Sequence, residues 1–188
     1  GFFKEDDSLN PSSPYSASKA SADLLARSYF VTHRLPVVIT RSSNNFGPRQ
    51  YPEKVIPLFV TNLLENKRVP LYAKGLNIRD WIFVEDNCRA IDLVLHKGRP
   101  GEIYNIAGGN YLNNISLTKM ILAKMGQSLS MVKNVKDRPG HDFRYAIDSS
   151  KIKRLGFSPK ISFDEALDLT VDWYRKNSRW WKKLKKKS

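Results

Sequence analysis

Apolar strand signals alternate with capped helices along this chain, and that alternation leaves few folds open. Leu35-Pro-Val-Val-Ile-Thr-Arg41 is apolar on successive positions, the pattern of a strand buried on both faces of a parallel sheet. Before it, Ser13 and Pro14 open a helix over residues 14–32: serine is a good N-cap, and proline suits the first helical position, where no N–H is needed. Ala17, Leu24, Leu25, Tyr29 and Phe30 recur behind them at helical spacing. Residues 42–53 read as a polar loop, and 54–66 as a helix with Pro57 confined to its first turn. Strands are expected near 69–72 and 80–84, then a helix over 87–97 capped by Asp86 and ended by Gly98. A strand at 102–107, a helix from Ser116 to Met125 and a strand near 130–135 follow. The Ser162/Glu165 capping box opens a last helix over 163–177. The fold class is α/β.

At 188 residues the chain is long enough for one respectable core. Its apolar runs are far too short to cross a bilayer, so no membrane role is expected. The lone Cys88 allows no internal disulfide; it reads as an inert buried thiol in a reducing, cytoplasmic setting. The net charge of +14 invites a nucleic-acid reading. Much of the excess lies in Arg179-Trp-Trp-Lys-Lys-Leu-Lys-Lys-Lys-Ser188, read either as a solvated tail or as a weak anchor for anions or membrane surfaces. Nucleic acid is therefore not the expected partner, and the remaining charge suits a small anionic ligand.

The helix start also carries chemistry. Tyr15 and Lys19 are four residues apart, on one face of the first turns. A free tyrosine, with a pKa of about 10, is a poor base at neutral pH. A neighbouring ammonium favours its phenolate and fits it to take a proton from a sugar hydroxyl as a hydride leaves the same carbon. The spacing alone is common; Pro14 and the serines strengthen it by putting the pair where side chains can face a cleft.

Other segments offer ligand groups, each with a plainer alternative. Ser43, Asn44 and Asn45 follow directly on a buried strand, where α/β sheets hold ligands, or they form an ordinary polar turn. Glu53 and Lys54 stand at a helix start, as an anion site or as a charged pair in solvent. Arg79 either forks onto a diphosphate or bridges to Asp80 or Asp86. Arg138-Pro-Gly-His-Asp-Phe-Arg-Tyr145 suits phosphate and base contacts but not a metal, since His141 and Asp142 have no ligand partner at suitable spacing. Glu5, Asp6 and Asp7 lie in a segment read as exposed, with nothing aiming them at Tyr15.

Together these segments resemble the dTDP-glucose 4,6-dehydratase family of extended short-chain dehydrogenases/reductases. The resemblance rests on Ser13-Pro-Tyr-Ser-Ala-Ser-Lys-Ala20, Thr40-Arg-Ser-Ser-Asn-Asn-Phe-Gly-Pro48, Gln50-Tyr-Pro-Glu-Lys-Val-Ile-Pro57, Ile78-Arg-Asp-Trp81 with Val84-Glu-Asp86, Gly101-Glu-Ile-Tyr-Asn-Ile106, and Arg138-Pro-Gly-His-Asp142 with Arg144-Tyr-Ala-Ile-Asp148. It implies NAD as cofactor and a nucleotide sugar as substrate. Tyr15 and Lys19 would be catalytic and touch NAD beside Ser43 and Asn44. Asn44, Glu53, Lys54, Val55, Arg79, Asn114, Arg138 and His141 would bind the substrate. Helix 14–32 would form a homodimer interface.

The resemblance implies the later part of a Rossmann-type doubly wound sheet, interleaved with a smaller nucleotide-sugar-binding domain. Residues 1–48 would be a remnant of the NAD-binding domain and 49–84 a substrate-domain segment. Residues 85–108 would return to the Rossmann sheet, 109–176 complete the substrate domain, and 177–188 form the basic tail. No G-x-G-x-x-G occurs, nor the family's Thr-Asp-Glu elimination motif. The expectation is a piece of a longer dehydratase, inactive alone and a poor binder of NAD. A 4-epimerase, or a non-catalytic module binding nucleotide sugars or nucleic acid, is the alternative.

Overall fold

The computed structural model describes residues 1–136 and 144–185. The first helix, α1 (Pro14–His33), ends on Arg34 in the left-handed conformation. Strand β1 (Ile39–Ser42) runs parallel to β5 (Ile103–Ile106), Ile39 opposite Ile103. A second sheet holds β2 (Asn44–Phe46), β4 (Ile78–Phe83) and β6 (Asn110–Asn113) in that order, with β8 (Arg144–Tyr145) also pairing with β4. β2 and β8 lie parallel to β4, and β6 antiparallel. A third, parallel pair is β3 (Val69–Tyr72) with β7 (Val132–Val135). The remaining helices are α2 (Val55–Leu64), α3 (Val84–Lys97), α4 (Asn114–Lys124), α5 (Ser150–Arg154), α6 (Phe163–Lys176) and α7 (Ser178–Lys185).

Successive strand residues point to opposite faces, and β4 uses this to divide the interior. Trp81 and Phe83 enter the larger core, built with Ile56, Phe59 and Val60 of α2, Leu117 and Ile121 of α4, and Leu167 and Val171 of α6. Ile82 enters the smaller core, with Ala90 and Val94 of α3 and Tyr104 and Ile106 of β5. Helix α1 stands apart: it buries no residue, and Leu24, Leu25 and Tyr29 are exposed.

Several expectations are corrected. The strand expected at 35–41 joins the sheet only from Ile39 and runs on to Ser42, and the loop expected at 42–53 contains β2. Asp86 does not cap α3. That helix starts earlier, at Val84, and Asp86 is buried in its first turn, paired with Arg89 and accepting the Lys160 N–H at 2.9 Å. Asn113, not Ser116, caps α4: its side-chain oxygen accepts the Ser116 N–H at 2.9 Å. Cys88 is exposed, not buried. The tail is not a solvated strand of charge up to Lys185, because Trp181 drives α7 into the larger core.

Among the described residues, no helix is long and apolar enough to cross a membrane.

Candidate active site

Two serines build the start of α1. Ser13 Oγ accepts the Ser16 N–H at 3.2 Å and Ser16 Oγ accepts the Ser13 N–H at 3.0 Å, a reciprocal capping box, with Pro14 opening the helix. Ser18 and Ser21 donate back to the carbonyls of Tyr15 and Ala17. The serines are thus committed to the backbone, while Tyr15 (75% exposed) and Lys19 stand one helical turn apart in the open. Neither makes a side-chain hydrogen bond or ion pair among the described residues.

Two of the expected ligand residues lie on the β2–β4–β6 sheet and a third, Asn114, opens α4 at its edge. Asn44 is opposite Trp81, and Arg79, two residues before Trp81, shares its face. Arg79 is half-buried, and its guanidinium donates to the Ile78 carbonyl at 2.7 Å. Asn114 follows Asn113, the partner of Ile78, and donates its N–H to the Asn77 carbonyl at 3.1 Å. Ser43 is buried; its N–H donates to the Ile106 carbonyl at 2.8 Å and carries the β1–β5 ladder one residue further. Glu53 and Lys54 pair with each other at 3.1 Å in solvent, the plainer of their two readings, while Val55 opens α2 against the larger core. Arg138 and His141 lie outside the described residues.

The open groove of about 510 Å³ beside β3 and β7, lined by Leu71, Lys74, Ile115, Leu129, Val132 and Asn134, contains none of these side chains. Among the described residues no group of three His, Cys, Asp or Glu side chains is arranged to hold a metal ion.

Sequence reasoning missed Asp80, considering it only as a partner for Arg79. It is fully buried, and its two oxygens accept the N–H groups of Gly108 at 2.9 Å and Asn110 at 2.6 Å. Gly108 lies so flat on the Trp81 carbonyl that a Cβ there would collide with it. Asp80 thereby fixes the turn joining β5 to β6, and so the two cores. Burial pushes its carboxyl above the ordinary range, against the pull of these hydrogen bonds. An isolated charged residue at the start of a strand gives no hint of this. Glu5 was misread as well: it is half-buried, and its carboxylate accepts the Asn105 N–H at 3.0 Å.

The family model of GDP-mannose 4,6 dehydratase matches residues 1–170. The chain belongs to that family. Its relatives include a dTDP-glucose 4,6-dehydratase of Streptomyces antibioticus, 54% identical over 188 residues, a match spanning 100% of this chain and 56% of that protein. A dTDP-glucose 4,6-dehydratase from Streptomyces venezuelae, solved with NAD and TYD bound, superposes with a TM-score of 0.96 at 52% identity over 98% of this chain and 57% of its own. A UDP-glucose 4-epimerase from Thermotoga maritima, solved with UDP-glucose, superposes with a TM-score of 0.88 at 30% identity over 95% of this chain and 59% of its own. As a GDP-mannose 4,6 dehydratase family member, the chain has the α/β, Rossmann-type fold expected of it, and spans little more than half the length of these relatives.

Proposed function

We propose that the protein acts as a dTDP-glucose 4,6-dehydratase with NAD as cofactor, releasing the 4-keto-6-deoxy sugar nucleotide and water. The observation that carries this reading is the phenol of Tyr15 and the ammonium of Lys19, one turn apart on a capped helix start and without a side-chain hydrogen bond or ion pair among the described residues. The donor set suits NAD: a phenol and an ammonium on one exposed helix face would offer hydrogen bonds to hydroxyl groups of a bound cofactor. When bound, the nicotinamide supplies reversible acceptance of a hydride.

In this reading Tyr15 takes the proton from the sugar O4, and Lys19 stabilises the resulting phenolate electrostatically. Ser43 and Asn44 orient cofactor and sugar. Glu53, Lys54 and Val55 line the nucleotide-sugar cleft, while Arg79, Asn114, Arg138 and His141 hold the diphosphate and nucleotide. The larger core is then the substrate side and the smaller core the cofactor side, with the boundaries given under Sequence analysis. No residue of this chain is assigned the acid–base step that expels water from C5 and C6.

The reading includes a homodimer through α1, supported by the exposed Leu24, Leu25 and Tyr29 on a helix that buries nothing, and a cytoplasmic setting consistent with a single thiol. Sedimentation of the protein as a monomer at micromolar concentration would contradict the dimer. The activity is tested by supplying NAD and dTDP-glucose to the full-length dehydratase that carries this chain and developing the product in alkali. The 4-keto chromophore is expected; a 4-epimer formed without it would assign the chain to epimerisation instead.

A further inference from the structure

The face of α1 that presents Tyr15 and Lys19 continues one turn further to Asp23. A carboxylate four residues after a lysine is well placed to pair with it and cancel its charge. Asp23 is otherwise engaged: Arg41 of β1 donates its Nε–H to Asp23 Oδ2 at 2.7 Å, and both side chains are largely withdrawn from solvent. A second Arg41 nitrogen donates to the Glu5 carbonyl at 3.2 Å, so the guanidinium is fixed from two sides. The charged groups on this side are Lys19, Asp23 and Arg27 of α1, Arg41 of β1, and Glu5, whose carboxylate is committed to the Asn105 N–H.

We propose that Arg41 is a positioning residue for the Tyr15–Lys19 pair: by holding the Asp23 carboxylate, it keeps Lys19 free to act on the phenol. This rests on the reading of Tyr15 and Lys19 as the catalytic pair, but its test needs no turnover. It also makes Arg41 a tie between β1 and a helix with no buried side chain of its own.

The test is a titration of the 188-residue chain labelled with 13C in its tyrosine rings, the Tyr15 signal being assigned by its loss in Tyr15→Phe. Arg41→Gln releases Asp23 toward Lys19 and is expected to raise the Tyr15 midpoint above the wild-type value. Arg41→Gln combined with Asp23→Asn is expected to return it to the wild-type value, which a purely structural role would not do. Arg41→Lys, which keeps a cation beside Asp23, should leave it in place. An unmoved midpoint in Arg41→Gln with helicity intact, or a shift that persists in the double variant, overturns the proposal. If Arg41→Gln loses helicity, Asp23→Asn alone decides: an unchanged midpoint supports the proposal, since Arg41 already holds Asp23 away from Lys19, and a lowered one overturns it, since Asp23 was then cancelling the Lys19 charge. A fully active Tyr15→Phe enzyme would instead refute the catalytic reading and leave this electrostatic result standing.

Discussion

At the scale of single residues, Asp80 shows how one side chain joins two cores. Its oxygens serve two N–H groups on the turn between β5 and β6, from a side chain that is itself fully buried. Asp80→Ala takes the acceptor from two half-buried donors, at about 1–2 kcal/mol each, so we expect a loss of about 2–4 kcal/mol in urea unfolding at pH 7. The pH dependence has a definite sign. The folded carboxyl titrates above its ordinary 3.8 because burial disfavours its charge, so the stability it contributes is complete below that value and declines as pH rises through the folded one. Asp80→Ala should therefore cost more at pH 4 than at pH 7; a smaller cost at pH 4 would contradict this account.

At the scale of elements, what was legible in the sequence followed from how local the deciding interaction is. The start of α1 was legible because Ser13, Pro14 and Ser16 settle it among themselves. The start of α3 was not: Asp86 looks like a cap, but long-range contacts to Lys160 and the packing of Phe83 extend the helix past it. β2 was hidden inside a polar stretch because its partner, β4, lies more than thirty residues away. The C-terminal segment misled for a similar reason. Its lysines suggest solvent, yet Trp181 is buried with its indole N–H on the Tyr174 carbonyl at 2.8 Å, and Lys185 reaches Glu65 at 3.0 Å. Trp181→Ala should cost about 3–5 kcal/mol and shift the urea midpoint down; a change below 1 kcal/mol would mean that α7 is a passive appendage.

At the scale of the whole molecule, β4 is the common wall of both cores, and the expected ligand residues Asn44, Arg79 and Asn114 sit along its sheet. The Tyr15–Lys19 pair sits on a separate element held to β1 by the Asp23–Arg41 pair. The motifs that suggested these residues are short and contiguous; the ties that hold the residues in place span the chain and carry no motif. The most direct measurement compares wild type with Tyr15→Phe in the full-length dehydratase that carries this chain, supplied with NAD and dTDP-glucose, followed by the absorbance of the 4-keto product in alkali. The expected result is a fall in turnover of about 10²–10⁴-fold, the usual contribution of a positioned acid–base group. A phenylalanine variant forming the keto sugar at the wild-type rate would contradict the account.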